Sequence, residues 1–471
     1  MEGITLPLEC IGQRDSWRYI NLDNAATTPS AVPVLRAVQA VMEVYGSIHR
    51  GSGLKSVIST ELYEKAFELI RSFVGATSDD AVVLASNTTT AINRLAHSYG
   101  FERGDVVLIS EMEHSSNDLP WRQHATVVRF RSTRSGGLDL EDLEARLRQF
   151  GRKARLVALT GASNVTGYLS PSRDVARIAH RYGAEVFVDC AQLVAHRPIC
   201  MRSPTGEEDL DYIAFSGHKM YAPFGMGVVI GRRHAFERIP PDLPGGGTVE
   251  MVTTDNQIWA ALQSRLTPGT PNVVGLVAIS AAMQMIAEIG FDTVLNHEKE
   301  LVATGLRVLQ SLPGVVLQGQ GVFSPGDDRL PIFPFTVEGY SHGFLAAVLG
   351  CEYGIGVRQG HLCQYEFMRR ELGITEATQA GVEEDLRHGD KSSMYGMVRA
   401  SCGLCTATTD LECLGDALKR LLKQGPTLRY EQDKTTGLFS PLDSADGWKA
   451  HVPKELGFLV NRCEPPAKAT V

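Results

Sequence analysis

Short apolar runs alternate with amphipathic stretches along roughly the first 280 residues. Ala81-Val82-Val83-Leu84-Ala85, Asp105-Val106-Val107-Leu108-Ile109-Ser110, Leu156-Val157-Ala158-Leu159 and Glu185-Val186-Phe187-Val188-Asp189 are short, rich in β-branched residues and bounded by polar ones. Between them, Leu138–Arg148 and Ser172–Arg181 carry apolar residues at helical spacing with charges on one face. Continuous apolar strands separated by helices predict a parallel sheet covered on both faces. Beyond about residue 285 the pattern changes to a helix over Val294–Leu312, strands at Val315–Leu317 and Ile332–Val337, more helix, and a last strand near Tyr395–Ser401. The expected architecture is α/β: a large, mostly parallel-sheet domain over 17–285 and a smaller C-terminal α+β domain over 286–424, joined by the N-terminal segment. Pro, Gly, Asp and Lys dominate 425–471, which predicts an extension running over the surface or partly mobile.

Composition narrows the function classes. The 471 residues are 43% hydrophobic and 21% charged, as in ordinary globular proteins, and no repeat or low-complexity tract interrupts them. Net charge is −8 and no basic block occurs, which argues against nucleic-acid binding. No apolar run reaches the length of a membrane span, and the first residues lack a basic segment followed by an apolar one. Nine scattered cysteines fit reduced thiols better than a disulfide framework, so the expected compartment is the cytoplasm.

Open α/β sheets bind ligands beyond the carboxyl ends of their strands, so the residues after each run carry the chemistry. Asp209–Phe215 ends in Ser216-Gly217-His218-Lys219. At the mouth of a buried strand a lysine's ammonium is disfavoured and its neutral amine is a nucleophile toward carbonyls; elsewhere such a lysine merely caps a strand. Ser86-Asn87-Thr88-Thr89 opens a helix whose N-terminus suits a phosphate, or is plainly capped. His114, after Glu113, offers a ring to stack on a cofactor or a structural imidazole. Asp189 ends an apolar strand, where a carboxylate needs a cationic partner: a protonated pyridine nitrogen or a structural ion pair. Gln192 and Asn164 lie where they can approach a pyridine's phenolic oxygen, although Asn164 equally reads as a solvated turn. A Schiff-base lysine beside a phosphate site describes a pyridoxal 5′-phosphate (PLP) enzyme.

These elements resemble the class V, fold type I PLP enzymes, and within them the cysteine desulfurases, from about Tyr19 to about Leu422. Leu22-Asp23-Asn24-Ala25-Ala26-Thr27-Thr28-Pro29, His49-Arg50-Gly51, Thr88-Thr89, Glu113-His114, Ser163-Asn164-Val165-Thr166-Gly167, Asp189-Cys190-Ala191-Gln192, Ser216-Gly217-His218-Lys219 and Gly269-Thr270-Pro271-Asn272 occur in the family's order. The resemblance implies that Lys219 binds PLP and moves the substrate's α-proton, that His114 stacks on the ring, and that Asp189 and Gln192 hold its nitrogen and phenolic oxygen. Thr88, Thr89, Ser216 and His218 would hold the phosphate. Thr270 would reach it from a second subunit, giving a homodimer with shared sites. Arg399 would clamp the substrate carboxylate, with Arg358, Asn24, His49 and Arg50 also on the substrate side. An arginine fork suits a planar carboxylate.

A desulfurase needs a thiol that takes sulfur from the bound amino acid as a persulfide and hands it to an acceptor protein. Within Gly356-Val357-Arg358-Gln359-Gly360-His361-Leu362-Cys363-Gln364, Cys363 falls on that position. Its neighbours Leu362 and Gln364 depart from the similar desulfurases, which more often carry His before the cysteine and a small residue after it. The 36 positions from Cys363 to Arg399 exceed the usual spacing, leaving a charged insertion over about 369–393 that is expected as a helical hairpin over the site, a partner surface or a solvated segment. Cys402-Gly403-Leu404-Cys405 has CxxC spacing without a second pair, reads as strand packing, and no metal is assigned. The expected activity is C–S bond cleavage of L-cysteine or a related sulfur amino acid. The competing readings are a class V aminotransferase, epimerase or β-eliminating lyase acting on a specialised amino acid without a persulfide, or an idle PLP-binding scaffold.

Overall fold

The computed structural model describes residues 7–8, 17–49, 51–133, 136–319, 321, 327–442, 452 and 456. Seven strands form the large sheet: β1 (Asp80–Ala85), β2 (Val106–Ser110), β3 (Thr126–Phe130), β4 (Ala154–Thr160), β5 (Glu185–Asp189), β6 (Tyr212–Ser216) and β7 (Gly227–Arg232). Their spatial order is β1-β7-β6-β5-β4-β2-β3, with β7 antiparallel to both neighbours and every other pairing parallel. Alternate residues explain the unbroken apolar runs. Val82, Leu108, Val157, Val186 and Ile213 join one core, while Val83, Val107, Ala158, Phe187 and Ala214 join the core on the opposite face. Both faces are therefore buried, as a helix-covered parallel sheet requires.

Helices α1 (Val32–Val44), α2 (Leu54–Phe73), α3 (Thr88–Ser98), α4 (Leu140–Phe150), α5 (Ser172–Arg181) and α6 (Val273–Ile289) belong to this unit. Helix α7 (Phe291–Gln310) leads to the second one, meeting α6 at a bend of 81°. The sequence-derived junction at 285–286 falls within α6, and the chain turns at Gly290, whose φ of +80° lies in the region that glycine tolerates. The second sheet has four antiparallel strands, β8 (Val315–Leu317), β9 (Ile332–Val337), β10 (Arg358–Gly360) and β11 (Met397–Ser401), in the order β8-β9-β11-β10. Its core joins Leu301 and Leu309 of α7 to Phe333 and Phe335 of β9 and to Leu414 and Leu418 of α11 (Thr408–Gln424). Ile20–Asn21 pairs in parallel with Ile355–Gly356, which carries the N-terminal segment onto this unit.

Helix α8 (His342–Tyr353) lies between β9 and β10, and between β10 and β11 the chain forms α9 (Tyr365–Glu371) and α10 (Glu376–Arg387). The charged insertion over about 369–393 thus comprises the end of α9 and the whole of α10. Arg370 ties α9 to Glu111 (3.2 Å), and the amide of Lys391 donates to the carbonyl of Lys434 (2.7 Å). That second contact comes from the start of the C-terminal extension, where Tyr430–Gln432 and Phe439–Pro441 pair as a hairpin. Buried Glu352 on α8 anchors it by accepting from the amides of Thr427 and Leu428 and the hydroxyls of Thr427 and Tyr430, at 2.7–3.1 Å. Residues 443–451, 453–455 and 457–471 lie outside the described residues. No single helix among the described residues is long and apolar enough to cross a membrane.

Candidate active site

A cavity of about 590 Å³ opens where β1, β2, β4, β5 and β6 end, with the small unit closing one side. Lys219, Asp189, His114, Asn164, Gln192, Thr88, Thr89, Ser216, His218, Arg358, Cys363 and Arg399 all line it. The volume suits a small cofactor plus an amino acid.

Its polar end is built on α3. Asn87 caps the helix, its side-chain oxygen accepting from the amide of Thr90 (3.0 Å). The Ser216 hydroxyl lies 2.5 Å from that of Thr88 and accepts from the Thr88 amide at 2.6 Å; the Thr89 hydroxyl meets that of Ser116 at 2.7 Å. A Cβ at Gly227 would stand 2.5 Å from the Asn87 carbonyl carbon, so only glycine lets β7 pass so close to this cap. The cluster of hydroxyls at a helix N-terminus is anion-seeking.

Asp189 ends β5, and Lys219 follows the neighbouring β6. The Asp189 carboxylate is buried and accepts from the Ala191 amide (2.9 Å). Burial pushes its carboxyl above the ordinary carboxylate range, opposed by Lys219. Burial likewise pushes the Lys219 ammonium down, with Asp189 holding it up in part. Both groups are therefore drawn toward their neutral forms. His114 is pushed down to about 4, first by burial and then by Lys219 and Arg399, so its ring is neutral at pH 7. Its Nδ1 accepts from the Ser116 amide (3.1 Å), which places the ring proton on Nε2. His218 is also held down to about 4, by burial and Lys219. Gln192 Nε2 donates to the carbonyl of Ala25 (2.6 Å).

The opposite wall carries two arginines. Arg358 and Arg399 face each other directly in the β10–β11 register, so both project from one side of the sheet. Asp23 relieves the repulsion, with 2.8 Å to Arg358 and 3.1 Å to Arg399. Arg399 also donates from Nη1 to the carbonyl of Asn164 (2.8 Å), and its buried Nε has no partner among the described residues. Burial draws Arg399 down to about 10, against the pull of Asp23.

Cys363 sits exposed on the loop between β10 and α9. Leu362 and Cys363 both have left-handed backbones, with φ of +54° and +57°. Each such residue costs about 1–3 kcal/mol unless its surroundings hold it. Ser115 donates to the Cys363 carbonyl from its amide (3.0 Å) and its hydroxyl (3.3 Å), and Asn164 Nδ2 donates to the Leu362 carbonyl (2.8 Å).

Three of the sequence-selected residues stand off the cavity. Asn24 is buried and spends Nδ2 on the carbonyls of Asn21 and Ser401, while its neighbours Ala25 and Ala26 line the site. His49 packs edge-on against Tyr63, half exposed. Thr270 is exposed just before α6, outside this chain's own cavity. Arg50 lies outside the described residues. Sequence reasoning assigned no role to Asp23, Ser116, Glu113 or Gln364, the last marked only as a departure beside Cys363. Asp23 stood inside a quoted motif without a role, and the reading stopped at His114, one position after Glu113. Cys402, from the CxxC segment, is buried in the small core and its thiol is pushed up by burial.

A family model described as aminotransferase class-V matches residues 20–414. A probable cysteine desulfurase of Halalkalibacterium halodurans is 34% identical over 370 residues, covering 77% of this chain and 87% of that relative. A probable cysteine desulfurase of Staphylococcus epidermidis is 32% identical over 372 residues, with 77% and 87% covered. Among solved structures, the apo cysteine desulfurase of Thermococcus onnurineus superposes with a TM-score of 0.74 at 28% identity, covering 86% of this chain and 95% of that one. The cysteine desulfurase CsdA of Escherichia coli, in an S-sulfonic acid form, gives 0.71 at 28% identity, with 86% and 94% covered.

Proposed function

The chain belongs to the aminotransferase class-V family, and from that premise we propose that it is a PLP-dependent cysteine desulfurase acting on L-cysteine or a close analogue. The observation that carries the reading is that the Cys363 thiol and the Lys219 amine line one cavity with the arginine pair. Neither transamination nor epimerisation has a use for a thiol there.

The residues fit PLP. Asp189, a buried carboxylate drawn toward neutrality, gains what it lacks from a protonated pyridine nitrogen. Thr88, Thr89, Ser216 and His218 with the α3 amides would hold the phosphate, and neutral His114, Gln192 and Asn164 would contact the ring. Bound PLP supplies an electron sink for the substrate α-carbon. Lys219 holds the cofactor before substrate arrives and afterwards takes the α-proton on Nζ, a task for which its lowered affinity for protons prepares it. Arg399 receives the substrate carboxylate with its unpartnered Nε, and Arg358 adds charge from the rim, while Asn24 supports this wall through its bonds to the Asn21 and Ser401 carbonyls. Cys363, as thiolate, attacks the substrate Sγ; the S–S bond forms as the Cβ–Sγ bond breaks. The bonding pair stays on Cβ, which takes a proton, leaving alanine and a persulfide on Cys363. An acceptor protein then removes that sulfur.

The active unit is a homodimer in which Thr270 of the second copy completes the phosphate site; its exposure outside its own cavity supports this. Free thiols at Cys190, Cys200, Cys363 and Cys402 suit a reducing compartment, the cytoplasm.

Cys363→Ser tests the assignment. PLP-loaded wild type is expected to release alanine from L-cysteine. The variant should keep the visible absorbance of bound cofactor and lose at least about 10²-fold in alanine formation, since the nucleophile itself is gone. Unchanged alanine formation, or pyruvate in its place, would favour the lyase reading.

A further inference from the structure

Gln364, immediately after Cys363, is buried to 1% exposure, where a glutamine needs a reason to be. Its Nε2 donates to Asn164 Oδ1 at 2.8 Å and reaches the Ser163 hydroxyl at 3.4 Å, while its Oε1 has no partner among the described residues. The residue thus leaves one buried acceptor unsatisfied in order to make one particular bond. Asn164 is the centre of three contacts. Its Nδ2 donates to the carbonyl of Leu362, its Oδ1 accepts from Gln364, and its backbone carbonyl accepts from Arg399. A carbonyl only accepts, so Leu362 fixes the Asn164 amide with nitrogen toward the loop and oxygen away. Only a donor can then meet that oxygen, and Gln364 supplies it. Without the donor, the amide is free to rotate, and Leu362 and Cys363 lose a clamp on their left-handed backbones.

We propose that Gln364 is a positioning residue: through Asn164 it locks the Leu362–Cys363 backbone and so sets where the thiol stands. It touches neither substrate nor cofactor, and its consequence for turnover rests on the desulfurase reading above. An alanine at this position carries no donor, so in this chain the lock is written into the residue after the cysteine.

Gln364→Met keeps the side-chain volume and removes the donor. The Ser115 amide, which donates to the Cys363 carbonyl, reports the loop directly by hydrogen exchange in the peptide around His114–Asn117. Its exchange is expected to accelerate about five- to tenfold, the population shift from losing one ordinary buried hydrogen bond, while peptides from β4 and β5 keep wild-type rates. In the PLP-loaded enzyme the cofactor should remain bound. The kcat for alanine should fall by the same factor with KM within about twofold. Wild-type exchange at Ser115, or acceleration shared equally with the sheet, overturns the proposal, the second because it marks general destabilisation. If the methionine variant does not fold, Gln364→Leu gives the same comparison with a shorter apolar chain that also has no donor. Should wild type make no alanine from L-cysteine, the desulfurase reading fails, yet the exchange comparison still decides the role of Gln364.

Discussion

Glu113 shows how far the site's electrostatics extend beyond the cavity. Its buried carboxylate accepts from the hydroxyl of Ser110, from Asn117 Nδ2 (2.6 Å) and from the Thr160 amide (2.9 Å), and Thr160 lines the cavity. Burial nevertheless pushes its carboxyl from 4.5 up to about 8, with Asp189 adding to the rise. The unfolded chain releases this proton near the ordinary value and the folded one keeps it to about 8, so the folded state binds more protons across that window. Stability therefore falls as pH rises through it. Glu113→Gln is expected to flatten this part of the profile, its thermal midpoint changing less than wild type's between about pH 5 and 9; a wild-type slope in the variant would show that Glu113 does not titrate there. Lys219, Asp189 and Cys363 were legible in the sequence because strand ends and one short motif expose them. The roles of Asp23, Gln364 and Glu113 were not, because each depends on a partner brought close by folding: Asp23 lies 376 positions from Arg399, and Gln364 lies 200 from Asn164. Asn24 and His49 mark the converse, residues inside recognisable motifs whose side chains point to backbone carbonyls or to Tyr63 instead of the cavity.

The elements were more legible than their arrangement. Helix Ser172–Arg181 and strands Val315–Leu317 and Ile332–Val337 stand where their patterns put them, since burial of both sheet faces or one helix face writes itself into spacing. The antiparallel direction of β7 has no such trace, because a strand buried on both faces reads alike in either direction. The extension after residue 425 reads by composition as running over the surface or partly mobile; the hairpin at its start is bonded to Glu352, more than 70 positions upstream, a partner that only folding brings close. Helices α1 and α2 raise a different matter. Leu35 and Met42 on α1, Tyr45 at its end, and Leu54, Val57 and Leu62 on α2 are all exposed, Leu54 at 76%. Apolar side chains gathered on two adjacent helices fit a surface covered by a second copy. Leu54→Asp is expected to weaken that dimer at least about tenfold in sedimentation, since it places a charge in an apolar contact. A wild-type protein that sediments as a monomer at all concentrations would contradict the shared-site assembly.

On the scale of the whole molecule, two units divide the chemistry. The large sheet presents the lysine, the buried carboxylate and the hydroxyl cluster; the small sheet presents the arginine pair, bridged by Asp23, and the thiol loop, with Asn164 joining the two. The two sets of groups thus meet in one cavity, and the charged insertion is tied to Glu111 on one flank and to the C-terminal hairpin on the other. The most direct measurement is a single turnover of the PLP-loaded protein with one equivalent of L-cysteine, followed by mass analysis of the peptide containing Cys363 and quantification of alanine. The account predicts one added sulfur atom on Cys363 for each alanine released. Pyruvate and sulfide with an unmodified Cys363, or no cleavage of the C–S bond at all, would contradict it.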